Sequence, residues 1–250
     1  MKHFSFEGIR TLSEHNWIMD GILVRPSGPL SGDVTIKGAK NSALKLMAAC
    51  TLTEGTFRLN NVPDITDVRL MSELLGSLGM DVKRIRENTL EIVNPGNLKP
   101  EAPYELVEKM RASIVVLGPL LATYGTAKVA LPGGDDFGPR PIDMHLRGLE
   151  TLGAQFHSKH GYIEGNCEGL MGARIVLEFP SVGATENVRM AAVRAKGETI
   201  IENAAREPEI ADLAAFLNRM GGKVLGAGTS TIVVEGVDKL VAVEHSVIPD

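Results

Sequence analysis

The feature that most constrains the fold of this 250-residue chain is an internal repeat with a period of about 70 residues. Three segments align on a glycine that precedes a β-branched run and a second glycine that ends an amphipathic helix. They begin at Gly55, Gly125 and Gly197. Such periodicity is typical of a fold that uses one supersecondary unit several times. The sequence therefore predicts three copies of one unit.

Each unit has the same order of local signals. An Ala/Leu-rich helix, a glycine turn, a short strand and a loop precede an amphipathic helix that ends at a glycine. In the first unit the pattern predicts helices over about 40–53 and 65–78, the second with the spacing of one buried face. A strand follows each second helix, at 90–93, 162–165 and 231–236. These signals predict a mixed α/β fold.

The middle unit is longer than the other two. Its two glycines, Gly125 and Gly153, are 28 residues apart, whereas the separation is 24 in each of the other units. The extra residues lie in the loop LPGGDDFGPRP at 131–141, which contains two aspartates and one arginine. Loops on a rigid scaffold commonly carry function, although a tolerated surface insertion would also explain the added length.

Composition argues against several classes of protein. The net charge is −5 and both signs are interspersed, so no basic footprint for nucleic acid is present. Cys50 and Cys167 are far apart, which indicates neither a disulfide framework nor a zinc site. No apolar run approaches the roughly 18 to 20 residues of a membrane span, and the first 20 residues lack the apolar core of a signal peptide. We expect a cytoplasmic protein without a metal and without a membrane or nucleic-acid partner.

The first helix of each unit opens on a polar or glycine-rich stretch, namely GAKNSA at 38–43, MRAS at 110–113 and SVGATEN at 181–187. Helix N-termini present unpaired N–H groups and partial positive charge. Lys40, Arg111 and the backbone from Ser181 to Thr185 therefore predict anion pockets, although Ser181 or Thr185 alone would simply cap its helix. With Arg140 in the long loop, these starts indicate a phosphorylated ligand. Neither a P-loop nor a dinucleotide-binding fingerprint is present in the right context.

Five motifs in order carry a resemblance to a known family: GAKNSAL, EKMRASIVVLGPLLA, LPGGDDFGPRPIDMHLRGLETLGA, FPSVGATEN and IIENAAREPEI. Over about residues 20–250 the chain resembles the UDP-N-acetylglucosamine enolpyruvyl transferases. That resemblance implies transfer of the enolpyruvyl group of phosphoenolpyruvate to the 3-hydroxyl of UDP-N-acetylglucosamine, with release of phosphate. The reaction opens peptidoglycan synthesis, on which cell shape and division depend, and it needs no cofactor. The implied fold is an inside-out α/β barrel of two similar three-repeat domains, with the active site between them.

The resemblance also implies a division of the chain. Residues 1–19 are an N-terminal extension, 20–39 a hairpin belonging to the other domain, 40–240 the three-repeat catalytic domain, and 241–250 the start of a truncated second domain. We expect these residues alone to be inactive, and the open cleft face to permit self-association. A truncated UDP-sugar-binding module remains an alternative, as does, less favourably, a shikimate-type enolpyruvyl transferase, which lacks the run RPIDMH.

Motif by motif, the resemblance assigns roles to individual residues. Three cations are assigned to the charges of phosphoenolpyruvate and phosphate: Lys40, Arg111 and Arg140. Asn41 is assigned to the sugar. The uridine diphosphate is assigned to Arg140, Pro141, Ile142, Asp143, Met144 and His145, together with Ser181, Val182 and Gly183. Ile142 or Met144 could equally be core residues.

Asp135 departs from the family pattern, because many members have a cysteine there that acts as general acid and is the target of the epoxide fosfomycin. A carboxylic acid can deliver the same proton, but its ordinary pKa is near 3.9 rather than 8.5. The like charge of Asp136 would raise the pKa of Asp135 in the direction required. We therefore predict that Asp135 is the general acid and that the complete enzyme resists fosfomycin. The alternative is that Asp135 caps a turn.

Overall fold

The computed structural model describes residues 29, 31–130 and 142–250. Most of the predicted extension and hairpin, and the loop 131–141, lie outside these residues. Met1–Thr35 groups as a unit separate from Ile36–Asp250. The described residues up to 35 contain no helix or strand, and the larger unit carries all of the elements given below.

The helices are α1 (Lys40–Ala49), α2 (Thr66–Leu78), α3 (Tyr104–Val107), α4 (Leu117–Tyr124), α5 (Asp143–Thr151), α6 (Val182–Ala192) and α7 (Pro208–Arg219). The 3-10 helix Cys50–Leu52 directly follows α1, and a second 3-10 helix, Arg111–Val116, directly precedes α4. The strands are β1 (Gly55–Asn60), β2 (Asp81–Arg86), β3 (Thr89–Asn94), β4 (Glu101–Ala102), β5 (Thr126–Ala130), β6 (Gln155–Lys159), β7 (Tyr162–Asn166), β8 (Arg174–Val176), β9 (Glu198–Glu202), β10 (Lys223–Leu225), β11 (Thr231–Glu235) and β12 (Glu244–Ser246).

These strands form three sheets of identical topology. Their orders are β12-β1-β3-β2, β4-β5-β7-β6 and β8-β9-β11-β10. In each sheet the first pair is parallel and the other two pairs are antiparallel. The predicted mixed α/β fold of three repeated units is therefore confirmed. The sheets are separate from one another, so the described residues do not show a closed barrel.

The parallel edge strand of the first sheet comes from the far end of the chain. In the other two sheets this strand, β4 or β8, precedes its unit, whereas in the first it is β12, which pairs with residues 58–60 of β1. Beyond β12, the Ala39 N–H donates to the Ile248 carbonyl at 2.8 Å, and Gly38 bridges Pro249. Residues 244–246 thus contribute an edge strand to this sheet, while a second domain beginning at 241–250 stays a prediction.

Helices α1, α4 and α6 form the centre of the unit. Most of their residues are buried, whereas the outer helices α2, α5 and α7 bury one face and expose the other. Small residues allow the inner helices to approach closely. A Cβ atom at Gly118 of α4 would lie 2.3 Å from the carbonyl oxygen of Asn187 in α6, far inside van der Waals contact. The Ala/Gly content of these segments therefore determines how tightly the three helices pack.

The three inner helices run in the same direction. In the middle of the two helices, Lys45 of α1 lies 3.2 Å from Glu186 of α6, and past their C-terminal ends Arg194 donates to the Leu52 carbonyl at 3.2 Å. Residues at the start of α4 contact the first turns of α6, and Tyr124 at its end lines a cavity of about 500 Å³ with Leu52 and Arg194. The N-termini of α1, α4 and α6 therefore face one end of the unit and the cavity lies at the other.

Candidate active site

The candidate site lies at the end of the unit where the inner helices begin. Lys40 starts α1, Arg111 starts the 3-10 helix that leads into α4, and Ser181 is the N-cap of α6. Parallel helices present their partial positive charges and unpaired N–H groups at the same end, which favours anions. The tertiary structure thus points toward one end the helix starts that the sequence singled out separately.

The start of α1 is open to a ligand. Ala39, its N-cap, offers no side chain to the first N–H groups, and Asn41 is exposed. The Lys40 ammonium lies 3.0 Å from Asp67 Oδ2, with 47% of the Lys40 side chain exposed. An exposed ion pair of this kind contributes at most about 1 kcal/mol. An anionic ligand can therefore compete with Asp67 for Lys40.

The start of α6 has a conventional cap. The Ser181 hydroxyl accepts a hydrogen bond from the Ala184 N–H at 3.3 Å. The Thr185 hydroxyl instead accepts one from the Ala205 N–H at 3.1 Å, in the loop between β9 and α7. Of the two capping alternatives, only Ser181 therefore caps α6. Val182 and Gly183 are half-buried in its first turn.

Of residues 142–145 at the start of α5, two pack in the core and two are polar candidates for the site. Met144 is buried in the hydrophobic core and Ile142 packs against it, so packing accounts for both side chains. Asp143 is half-buried, and its Oδ1 has no hydrogen-bond partner among the described residues. His145 is 7% exposed, and its Nδ1 lies 3.0 Å from the Asn187 amide nitrogen. Burial lowers the pKa of His145 to about 4, against the opposing charge of Asp143. The ring is therefore neutral near pH 7.

Sequence reasoning missed a buried cluster of charges behind these residues. Glu186 and Arg189 of α6 are fully buried. Lys45 Nζ of α1 forms an ion pair with Glu186 Oε2 at 3.2 Å, but the angle between the two groups is not that of a hydrogen bond. Burial raises the pKa of Glu186 to about 7, although Lys45 and Arg189 counteract it. The sequence signal that could have revealed the cluster is the presence of charged residues in helices that lack an exposed polar face, because such charges must be buried.

A second missed cluster joins helices α1 and α7 to the last residues of the chain. The Ser42 hydroxyl donates to Asp212 Oδ2, and His245 Nε2 lies 2.8 Å from Asp212 Oδ1. The Ile248 N–H also points to Asp212 Oδ2 at 3.4 Å. Burial alone would raise the pKa of Asp212, but the hydrogen bonds from His245 and Ser42 outweigh it and lower the pKa. This cluster ties α1, α7 and the end of the chain together.

The remaining candidates cannot be placed in this geometry. Asp135, Arg140 and Pro141 lie outside the described residues, as does the side chain of Arg111. Their roles stay predictions. Within 29, 31–130 and 142–250, no group of three or more His, Cys, Asp or Glu is arranged to hold a metal ion. None of the helices in that part of the chain has both the length and the apolar character needed to cross a bilayer.

Comparison with known proteins assigns the fold and the family. The sequence profile of the EPSP synthase (3-phosphoshikimate 1-carboxyvinyltransferase) family matches residues 24–250. The enolpyruvyl transferase NikO of Streptomyces tendae shares the fold with a TM-score of 0.77 at 22% identity, over 88% of this chain and 52% of that one. An EPSP synthase of Acinetobacter baumannii has a TM-score of 0.71 at 20% identity, over 88% and 50%. The chain therefore belongs to the EPSP synthase family of carboxyvinyl transferases.

Within that family, its curated relatives share a more specific name. The UDP-N-acetylglucosamine 1-carboxyvinyltransferase of Gloeobacter violaceus is 54% identical over 222 residues, which are 88% of this chain and 48% of the relative. Enzymes of the same name from Carboxydothermus hydrogenoformans and Staphylococcus epidermidis are 52% and 50% identical over 93% of this chain and 55% and 56% of their own lengths. The resemblance drawn from the motifs is confirmed. The chain spans about half the length of these relatives.

Proposed function

We propose that this chain provides one domain of a UDP-N-acetylglucosamine 1-carboxyvinyltransferase, which transfers the enolpyruvyl group of phosphoenolpyruvate to the 3-hydroxyl of UDP-N-acetylglucosamine and releases phosphate. The observation that carries the proposal is the common direction of α1, α4 and α6, whose N-termini, with Lys40 and Asn41 on α1, face one end of the unit. Both substrates are anions that such an end favours. The choice of the UDP-sugar over shikimate follows the relatives that are at least half identical.

The roles of the residues follow from the charges of the substrates. Lys40, Arg111 and Arg140 balance the carboxylate and phosphate of phosphoenolpyruvate, and Asn41 contacts the sugar. The diphosphate and uridine lie against residues 140–145 and 181–183, where Asp143, His145 and the start of α6 offer polar groups and Met144 acts by packing. Fixed cations and helix N–H groups stabilise charge without reorganising when it develops.

The chemistry proceeds by addition and elimination. A proton is added to the methylene carbon of phosphoenolpyruvate while the 3-hydroxyl attacks the adjacent carbon and loses its own proton, which gives a tetrahedral phospho-ketal. Loss of phosphate and a proton then regenerates the alkene. Asp135 delivers the first proton as general acid. The resemblance assigns the base to a second domain, so we expect the 250-residue chain to bind the UDP-sugar without turning over.

The segments on either side of the proposed catalytic domain lie next to each other. Residues 36–39 and 247–250 run side by side, joined by hydrogen bonds from Ala39 to Ile248 and from Asp250 to Lys37 at 2.8 and 3.0 Å. The catalytic domain at 40–240 and the second domain that begins at 241–250 are parts of this proposal. The extension at 1–19, the hairpin at 20–39, self-association and a cytoplasmic location remain predictions.

The proposal is tested by calorimetric titration of the chain with UDP-N-acetylglucosamine, with and without phosphoenolpyruvate, and by phosphate release in parallel. Lys40→Ala should weaken the binding of phosphoenolpyruvate in the presence of the UDP-sugar. Lys223→Ala is the matched control, because Lys223 is also an exposed, carboxylate-paired lysine but lies on β10. A folded chain that does not bind the UDP-sugar, or equal effects of the two substitutions, would reject the proposal. Phosphate release abolished by Asp135→Asn would show instead that one domain suffices for catalysis.

A further inference from the structure

Asn187 in α6 is fully buried, and two backbone groups determine the orientation of its amide. Its Oδ1 accepts from the Gly118 N–H at 2.7 Å, and its Nδ2 donates to the Ile114 carbonyl at 3.1 Å. If the amide oxygen and nitrogen were exchanged, the oxygen would face the Ile114 carbonyl oxygen and the NH2 group would face the Gly118 N–H. Only one orientation is therefore compatible with the surrounding backbone.

That orientation has a consequence for His145. The second proton of the Asn187 amide points at Nδ1 of His145, which is 3.0 Å from the amide nitrogen. An amide N–H requires an acceptor, so Nδ1 must be unprotonated, and in a neutral imidazole the proton then lies on Nε2. The charges that act on the ring are Asp143 on its own helix, which raises the pKa of His145, and Lys45 on α1, which lowers it. Burial, the largest effect, and Lys45 together outweigh Asp143 and keep the ring neutral.

The Nε2 edge of His145 lies against the start of α6. A Cβ atom at Gly183 would be 3.1 Å from Cε1 and 3.2 Å from Nε2, so the glycine leaves room for the ring. Gly183 is two residues after the Ser181 N-cap, in the turn whose N–H groups favour an anion. The Nε2–H donor therefore lies beside a site that already favours phosphate oxygens.

We propose that Asn187 is a positioning residue that holds His145 in its Nε2–H tautomer, so that His145 donates a neutral hydrogen bond to the ligand at the start of α6. The ligand is the diphosphate of the UDP-sugar, and this part rests on the proposed function. The tautomer itself follows from the backbone of α4 and the 3-10 helix before it. A donor held in place in this way needs no rearrangement when the ligand binds.

The tautomer can be measured without altering the protein. A long-range ¹H–¹⁵N spectrum of the chain with ¹⁵N-labelled histidine reports which ring nitrogen carries the proton, and the signal of His145 among the six histidines is identified by its loss in His145→Gln. We expect the proton on Nε2 at pH 7. A proton on Nδ1 would overturn the proposal.

The role of Asn187 is tested by Asn187→Asp, which places a carboxylate opposite Nδ1. Because a carboxylate only accepts, Nδ1 should become protonated in this variant. Asn218→Asp is the matched control, because Asn218 also bonds one backbone N–H and one carbonyl, both of Val224, at 2.7 and 2.9 Å. It should leave the His145 spectrum unchanged. An unprotonated Nδ1 in Asn187→Asp, or the same change in the control, contradicts the proposal. If Asn187→Asp does not fold, the wild-type spectrum still decides the tautomer.

The contact with the ligand is tested by two substitutions of His145. A Gln amide can place an N–H near the position of Nε2, whereas the shorter Asn amide ends near that of Nδ1. His145→Gln should therefore bind UDP-N-acetylglucosamine about tenfold more tightly than His145→Asn, as expected for one hydrogen bond to a charged group. Equal affinities would refute the contact. Absence of binding by the wild-type chain would reject the proposed ligand, while the spectrum would still decide the role of Asn187.

Discussion

Glu186 should make the stability of this protein depend on pH between about 4.5 and 7. Its pKa is raised from 4.5 to about 7 in the folded protein, first because of burial. A group whose folded pKa is raised contributes its full stabilisation below the unfolded pKa and loses it as the pH rises through the folded pKa. At 1.36 kcal/mol for each pKa unit, the free energy of unfolding should fall by about 3 kcal/mol over this range because of Glu186.

The assay is urea unfolding followed by circular dichroism, for the wild type and Glu186→Gln at several pH values from 4.5 to 8. Taking the difference between the two proteins removes the titration of groups that they share. We expect the wild-type unfolding free energy to decline relative to that of Glu186→Gln as the pH rises, by about 3 kcal/mol in total. Glu235→Gln is the control, because Glu235 is also paired with a lysine but is 59% exposed, and its profile should follow the wild type. Parallel profiles for the wild type and Glu186→Gln would refute the reasoning.

Three further predictions concern the packing of the inner helices, the hydrogen bonds of Asp212 and the general acid. Gly118→Ala should destabilise the protein by about 1 to 3 kcal/mol because its Cβ would meet the backbone of α6, whereas Gly76→Ala, in open space on α2, should stabilise by up to about 1 kcal/mol; opposite shifts in thermal melting check this. Asp212→Asn should cost about 2 kcal/mol near pH 7, and because the folded pKa of Asp212 is lowered, the cost should shrink as the pH falls below about 4; a constant cost in denaturant unfolding would contradict it. In the complete enzyme, fosfomycin should form no covalent adduct by intact mass, and Asp135→Cys should restore one; an adduct on the unaltered protein would refute the prediction.

The secondary structure was largely predictable from local pattern. The helix expected at 65–78 is α2 (Thr66–Leu78), and it ends at Gly79, whose φ of 106° suits the left-handed C-cap that the glycine indicated. The helix expected at 40–53 is α1 followed by a 3-10 turn that ends at Leu52. The strand expected at 162–165 is β7 (Tyr162–Asn166). These features depend on residues close together in the chain, so their spacing alone reveals them.

Contacts between distant segments were not predictable. The pairing of β12 with β1 joins residues that are 186 positions apart, and the local signals of 241–250 do not indicate which sheet they complete. Lys45 and Glu186 were overlooked for the same reason, because nothing in the local pattern of either helix indicates that their side chains face each other. Only the parallel packing of α1 and α6 makes them a pair.

The sequence by itself determined that this protein repeats one α/β unit three times, that three helices begin with anion-favouring residues, and which family it resembles. Apolar spacing, glycine caps and motifs are local properties, and they can be read along the chain. The tertiary structure alone decided that the three helix starts face one end, and that Asn187 meets both a backbone N–H and a carbonyl. The environment of a polar group depends on segments that are distant in sequence, and burial makes that environment determine its protonation state.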